Sequence, residues 1–349
     1  MLKFIRIILS PLTVLYKLII QIRNFLFDKN IFTQAKVDVK IISVGNLTVG
    51  GSGKTPLTIM LTKYFKSEEK KVGVLSRGYG RNSKGYRLVS DHDKTITSVN
   101  EAGDEIFLVA NECNVPTAVS EKRVEGVNKF IKDVDLDLVI LDDAFQHRWI
   151  DRDIDLLIID QKFLSNANGF DQTLLPLGQM REPFESIKRA DAVIINQKFS
   201  TKVEIPNKLK NYLEDKETYF CHYKVSGIFD VKNNKEYSTK DFEGQQSLVV
   251  CGIAKPKSFL RILERSEINI KNKLIFADHK NYTIKEIENI RKAFYDTNSY
   301  SVLTTQKDAV KLMEYSKELD DIDIYFLKVE LEIENQNDFL ESLQNKIFN

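Results

Sequence analysis

The run Val44-Gly45-Asn46-Leu47-Thr48-Val49-Gly50-Gly51-Ser52-Gly53-Lys54-Thr55-Pro56 decides how the chain is read. An apolar stretch, Ile41-Ile42-Ser43-Val44, leads into it as a short buried strand. Leu57, Met60, Leu61, Tyr64 and Phe65 follow it at the spacing of one helix face. Strand, glycine loop and helix in that order form the context of a phosphate-binding loop. Glycines let successive backbone N–H groups turn inward around phosphate oxygens, and the helix start adds partial positive charge. Gly50, Gly51, Ser52 and Gly53 then cradle the phosphates of ATP, Lys54 reaches the β- and γ-phosphates, and the Thr55 hydroxyl ligates Mg²⁺. The strict G-x-x-x-x-G-K-[ST] spacing asks for glycine at position 48, where this chain has Thr48. The competing account is a glycine-rich turn that happens to precede a lysine.

At 349 residues the chain exceeds one typical core and suggests two domains. Its 51 Lys and Arg against 50 Asp and Glu leave no global basic field, so nucleic acid is not the expected partner. Cys113, Cys221 and Cys251 are odd in number, far apart and set among apolar residues. That usage points to a reducing compartment, with neither a disulfide framework nor a zinc site.

Residues 1 to 27 mix Lys3, Arg6, Lys17 and Arg23 with many Ile, Leu and Phe residues. No window of about 18 residues is free of charge, which argues against a spanning helix. A secretory signal fits poorly too, because Pro11 breaks the apolar run and no small-residue cleavage site follows. Basic and apolar residues interleaved this way suit amphipathic helices lying in a membrane interface. A helix pair packed on the body of the protein is the alternative.

Beyond Val37, continuous apolar runs at 71–76, 115–120, 138–141, 155–160 and 191–196 alternate with helical patterns. Such runs predict strands covered on both faces, as in a mostly parallel sheet flanked by helices. The fold expected is an α/β domain of the P-loop NTPase type. Residues 197–245 loosen into polar, Lys-rich sequence with one strand-like stretch at 218–225, read as a hinge region. A second, smaller α/β unit follows, with strands at 247–251, 273–276, 301–304 and 323–327 and a C-terminal helix. The predicted division is an N-terminal interface segment 1–30, a phosphate-loop core 31–215, a linker 216–245 and a C-terminal domain 246–349.

Four further constellations carry chemistry. Leu138-Val139-Ile140-Leu141-Asp142-Asp143 is a buried strand ending in two carboxylates, either of which can hold the metal beside the phosphates. Asp104-Glu105 opens a helical pattern. Asp104 there is either a cap or dipole partner, or the acceptor of an attacking hydroxyl's proton. His279 follows a strand end, where functional loops of open α/β sheets gather, and His147 sits similarly after Asp142 and Asp143. Arg181, in the irregular loop 174–183, could neutralise phosphate through bidentate contacts or form a solvated salt bridge with its surroundings.

Together these segments resemble the tetraacyldisaccharide 4′-kinase family from about residue 40 to residue 311. The resemblance is carried by 44–46 with Gly50 to Pro56, by Ser76-Arg77-Gly78-Tyr79-Gly80-Arg81 and by Gly103-Asp104-Glu105. It continues through Leu141 to His147, Leu175-Pro176 to Pro183, Asp278-His279 and Thr304-Thr305-Gln306-Lys307-Asp308-Ala309. It implies a monotopic enzyme on the cytoplasmic face of the bacterial inner membrane. That enzyme moves the γ-phosphate of ATP, with Mg²⁺, onto the 4′-hydroxyl of a tetraacylated glucosamine disaccharide 1-phosphate, without an obligate protein partner. The family's catalytic acid and its partner histidine map onto Asp104 and His279. Two positions depart from the family pattern: Ile106 stands where proline is usual, and Lys280 where a second histidine is frequent.

Two other functions compete. One is a soluble phosphate-loop kinase of a small metabolite, for which the N-terminal segment is mere packing. The other is a nucleotide-switched ATPase or GTPase. Val49, where partitioning ATPases carry an extra lysine, and the lack of an Asn-Lys-x-Asp segment count against the latter.

Overall fold

In the computed structural model, which describes residues 2–166, 170–278 and 280–348, thirteen strands pair into one sheet. The first part of the chain supplies β1 (Lys40–Gly45), β2 (Val72–Ser76), β3 (Arg87–Ser90), β4 (Thr117–Val119), β5 (Leu138–Asp142), β6 (Ile154–Asp160) and β7 (Ala192–Asn196). The rest supplies β8 (Glu217–Asp230), β9 (Glu236–Tyr237), β10 (Gln246–Cys251), β11 (Asn269–Ile275), β12 (Ser301–Thr305) and β13 (Ile324–Ile333). Across the sheet they run β11-β10-β12-β13-β8-β7-β6-β1-β5-β2-β4-β3, with β9 bonded to β8. The pairs β3–β4, β8–β9 and β8–β13 are antiparallel and the others parallel.

Every residue of β2, β5, β6 and β7 is buried, which is why these strands read as unbroken apolar runs. The edge strand β11 alternates exposed and half-buried residues instead, and it begins four positions before its apolar core at 273. The short β3 and β9 have no apolar run to announce them, and their pairing partners define them.

The 14-residue strand β8 lies inside the segment read as a hinge. It starts parallel to β7, with Glu217 opposite Ala192, and runs on past it to pair antiparallel with β13 between Cys221 and Asp230. One continuous strand therefore carries the sheet from the first half of the chain into the second. The C-terminal helix Gln336–Phe348 returns the other way. Its Phe339, Leu340, Leu343 and Ile347 are buried with Leu57, Leu61 and Phe65 of the helix Lys54–Ser67.

The N-terminal segment is a single helix, Leu2–Asp28, with Pro11 inside it, and not a helix pair. Ile20 and Phe27 are buried against the body, and Phe27 packs edge-on to Trp149 with ring centroids 4.9 Å apart. Leu12, Val14, Leu15, Leu18, Ile19, Ile22 and Phe25 are each at least half exposed. No described helix is long and apolar enough to cross a membrane.

Because β1, β2, β5, β6 and β7 run parallel, their C-terminal ends share one edge of the sheet, where loops of open α/β sheets build sites.

Candidate active site

The glycine loop leaves the end of β1 and feeds the helix Lys54–Ser67, whose N-cap is Gly53. Gly53 has φ 113° and Gly50 φ 94°, a region that β-carbon-bearing residues avoid, so glycine is required for the chain to turn here. A β-carbon at Gly50 or Gly51 would meet nothing within 4 Å, so the loop keeps open space beside it.

The loop is tied down on one side by Asn46 and Arg181. The Asn46 amide donates to Ser52 Oγ at 2.8 Å, and the Arg181 guanidinium donates to Asn46 Oδ1 and to Thr48 O at 3.2 Å. Arg181 also forks onto Asp143, at 2.8 and 3.2 Å. Its own strand-like segment is zipped to the loop by Val49 N to Gln179 O and Arg181 N to Leu47 O. The next residue, Glu182, points the opposite way, fully buried between Arg189 and Arg23.

Asp142 and Asp143 divide their duties. Asp142 ends β5 and accepts from Thr58 Oγ1 at 3.3 Å, one helical turn beyond the buried Thr55, while its Oδ2 is buried with no hydrogen-bond partner among the described residues. Burial first, then the charge of Glu105, pushes its carboxyl up to about 7. Asp143 turns out through φ 52° to meet Lys54 Nζ at 3.5 Å and Arg181. Burial works against its ionisation, but Lys54 and Arg181 prevail and hold it at about 2.

Opposite stands the helix Asp104–Cys113, capped by Gly103, so that Asp104 is its first helical residue. Asp104 is buried, with Lys311 Nζ 3.6 Å from its Oδ2. Glu105 pairs with Lys307. Burial opposes this pair, yet the Lys307 and Lys54 charges keep Glu105 below the usual carboxylate range, and Glu105 and Asp104 raise Lys307. Lys307 and Lys311 belong to the helix Gln306–Leu312, which is oriented by the fully buried Asp308. Asp308 accepts from Gly252 N at 2.9 Å, Thr305 Oγ1 at 2.8 Å and Tyr282 OH at 3.2 Å, and it lies 3.1 Å from Lys311 Nζ.

All this surrounds one cleft of about 1010 Å³, lined among others by the glycine loop, Lys54, Glu105, Asp143, Arg181 and Lys307. Asp278 also lines it, whereas His279 lies outside the described residues. Lys280, on its other side, accepts from Lys311 Nζ through its carbonyl at 3.2 Å and pairs with Glu286 at 2.8 Å. His147 is half-buried; burial and then Arg123 and Arg152 depress it to about 4, so it is neutral near pH 7. His222 faces Glu332 on the surface at 3.4 Å.

Of the residues singled out in the sequence, Lys54, Thr55, Asp143 and Arg181 line the cleft, while Asp142 and Asp104 are buried next to Asp143 and Glu105. Sequence reasoning did not find Asn46 or Thr58 as partners of Ser52 and Asp142, nor Lys307 and Lys311 as the cations facing Glu105 and Asp104. Thr58 carries a weak signal, a hydroxyl on the buried face one turn after Thr55. Lys307 lies in the segment 304–309 already singled out, but nothing local names its partner or that of Lys311, since each lies some 200 residues away.

The sequence model of the tetraacyldisaccharide-1-P 4′-kinase family matches residues 5–348. The tetraacyldisaccharide 4′-kinase of Chlorobium phaeobacteroides is 33% identical over 98% of both chains, and that of Chlorobium phaeovibrioides 35% over 88% of this chain and 87% of its own. Among solved structures, LpxK from Aquifex aeolicus, crystallised in complex with ATP, superposes with a TM-score of 0.81 at 30% identity, covering 99% of this chain and 100% of its own. The mostly parallel sheet, the glycine loop at the end of β1 and these matches over most or all of the chain agree, and the chain belongs to the tetraacyldisaccharide 4′-kinase family.

Proposed function

We propose that the protein transfers the γ-phosphate of ATP to the 4′-hydroxyl of a tetraacylated glucosamine disaccharide 1-phosphate, a step of lipid A biosynthesis. The observation that carries this reading is the cleft itself. It sets a glycine loop with Lys54 and Asp143, which follows the buried Asp142 at the end of β5, against Glu105, the helix neighbour of the buried Asp104.

The residues fit Mg²⁺ and ATP. The loop has open space at Gly50 and Gly51, and Asp142, whose Oδ1 meets Thr58 Oγ1 at 3.3 Å, has its buried Oδ2 without a hydrogen-bond partner among the described residues. Gly50, Gly51, Ser52 and Gly53 hold the phosphates through backbone N–H groups, with Lys54 on the transferring end. Thr55, Asp142 and Asp143 are the metal-holding set. Bound there, Mg²⁺ neutralises charge on the phosphate oxygens. Asp104 accepts the proton of the 4′-hydroxyl as its oxygen bonds to phosphorus and the bond to the β–γ bridging oxygen breaks, leaving ADP. His279 orients Asp104. Arg181 holds Asp143 and the loop in register, and its positive charge offsets part of the charge on the transferred group. Residues 31–215 serve as the nucleotide-holding unit, and 246–349 carries Lys307, Asp308 and Lys311 to it.

The acyl chains of such a substrate stay in a bilayer, so the enzyme must work at its surface. The half-exposed apolar face of the helix Leu2–Asp28 supports seating on the cytoplasmic leaflet of the inner membrane, beside the loop 174–183 that Tyr16 OH contacts at Arg181 O, 2.9 Å away. The metabolite-kinase reading offers no reason for seven exposed apolar side chains on one helix.

The test is transfer of labelled γ-phosphate to the tetraacyl disaccharide 1-phosphate dispersed in detergent or vesicles. The wild-type chain is expected to label the 4′ position, and Lys54→Ala to lose orders of magnitude in turnover, since phosphoryl-transfer catalysis is mostly positioning and charge stabilisation. Near-normal turnover in folded Lys54→Ala, or labelling of soluble sugars in place of the glycolipid, would overturn the reading.

A further inference from the structure

The glycine loop is held from a second side by residues outside the assigned machinery. Asn196, the last residue of β7, is fully buried, and its Nδ2 donates to Ser52 O at 2.8 Å. Its Oδ1 accepts from Lys198 N at 2.8 Å, which orients the amide. Lys198 then reaches back, and its Nζ donates to Gly51 O at 2.7 Å and to Asp160 Oδ2 at 2.7 Å. Two consecutive loop carbonyls, those of Gly51 and Ser52, are thus each engaged by a side-chain donor from the β7 end.

The consequence follows from the planarity of the peptide. In a trans peptide the C=O of one residue and the N–H of the next point in opposite directions. Holding Gly51 O and Ser52 O toward Lys198 and Asn196 turns the N–H groups of Ser52 and Gly53 to the other side of the loop. Those two N–H groups belong to the cradle that a phosphate-binding loop needs.

Lys198 is held there at a cost. Its φ is 57°, in the left-handed region, and such strain persists only where surrounding contacts over-determine it. Those contacts include Tyr223 N donating to Lys198 O at 2.8 Å. Burial lowers the lysine's proton affinity, while Asp160 opposes that shift. Asp160 also receives Lys255 Nζ, at 3.0 Å, from the second half of the chain.

We infer that Asn196 and Lys198 are positioning residues that preset the peptide orientations of the glycine loop for the nucleotide phosphates. This rests on the reading of that loop as the ATP phosphate site.

Calorimetric titration of the full chain with Mg²⁺·ATP tests it. Lys198→Met keeps the stem and removes the donor, and Asn196→Ala removes the amide. Each is expected to weaken ATP binding by about tenfold or more, as loss of a buried or charge-assisted hydrogen bond does. The KM for ATP should rise by a similar factor while the KM for the glycolipid keeps its wild-type value, a split that general loosening of the fold would not produce. Because Lys198→Met leaves Asp160 with Lys255 alone, the double variant Asp160→Asn/Lys198→Met is measured beside it; Asn still caps the following helix. Persistent weakening in the double variant supports the inference. Wild-type ATP affinity in folded Lys198→Met overturns it, as does recovery in the double variant, which would trace the loss to the stranded carboxylate. Lys54→Ala run in parallel separates the two readings: wild-type ATP affinity there would place the nucleotide elsewhere and remove the premise.

Discussion

Asp104 shows how one residue's role depends on what is packed around it. Read alone it is an acid at a helix start, where a carboxylate favours the exposed N–H groups. In the fold it is buried with a lysine 3.6 Å away, next in sequence to Glu105, which lines the cleft with Lys54 and the glycine loop. A positioned acid–base group contributes typically about 10² to 10⁴ in rate. Asp104→Asn is therefore expected to lose kcat on that order, with little change in the KM for ATP. His279→Ala should behave similarly, and the double variant should lose much less than the product of the two if they act as a unit. Steady-state kinetics of the three variants decide this, and multiplicative losses would assign them independent roles.

At the scale of elements, the N-terminal helix is fastened by a few contacts on a narrow stripe. Arg23 pairs with Glu182, which Arg189 holds from the other side at 2.7 Å. Burial disfavours the ionised form of Glu182, but Arg189 and Arg23 outweigh it and keep its folded pKa below the ordinary 4.5. A carboxylate with a lowered folded pKa adds stability that is fully present above its unfolded pKa. That stability is lost as pH falls through about 4.5 and on through the lower folded value. Glu182→Gln strands two arginines, and breaking a buried ion pair in this way costs roughly 3–5 kcal/mol. The variant should unfold at lower urea concentration than wild type at pH 7, and the gap should narrow as the pH drops below about 4.5. A gap that stays constant with pH would show that the ion pairs do not carry the effect.

At the scale of the molecule, the decisive feature is that one sheet spans both halves. Strand β8 crosses from β7 to β13, and the second half thereby brings Lys307 onto Glu105 and Lys311 beside Asp104. The Glu105–Lys307 pair ties the two halves across the cleft. Glu105→Gln and Lys307→Met are each expected to destabilise the protein, whereas the double variant should recover part of the loss. A coupling energy of about 1–3 kcal/mol from urea unfolding of the four proteins is the expected outcome for groups in direct contact. Additive effects would mean that this ion pair does not help to tie the halves together.

The amino-acid order by itself determined what neighbouring residues encode. Unbroken apolar runs marked the buried parallel strands, the glycine–lysine loop between strand and helix marked the segment proposed to hold phosphate, and Asp142-Asp143 at a strand end marked the carboxylates proposed to hold the metal. Each of these is a local pattern, because strand pleat, helix period and turn conformation all act over a few consecutive residues. Only the tertiary structure decided that the stretch read as a hinge contains the 14-residue joining strand, that the N-terminal segment is one helix with an inner and an outer face, and that Asn196, Lys198, Lys307 and Lys311 surround the loop and the acids. Those partners are set by strand order and crossover, and the 202 positions between Glu105 and Lys307 leave no periodicity from which their contact could be read.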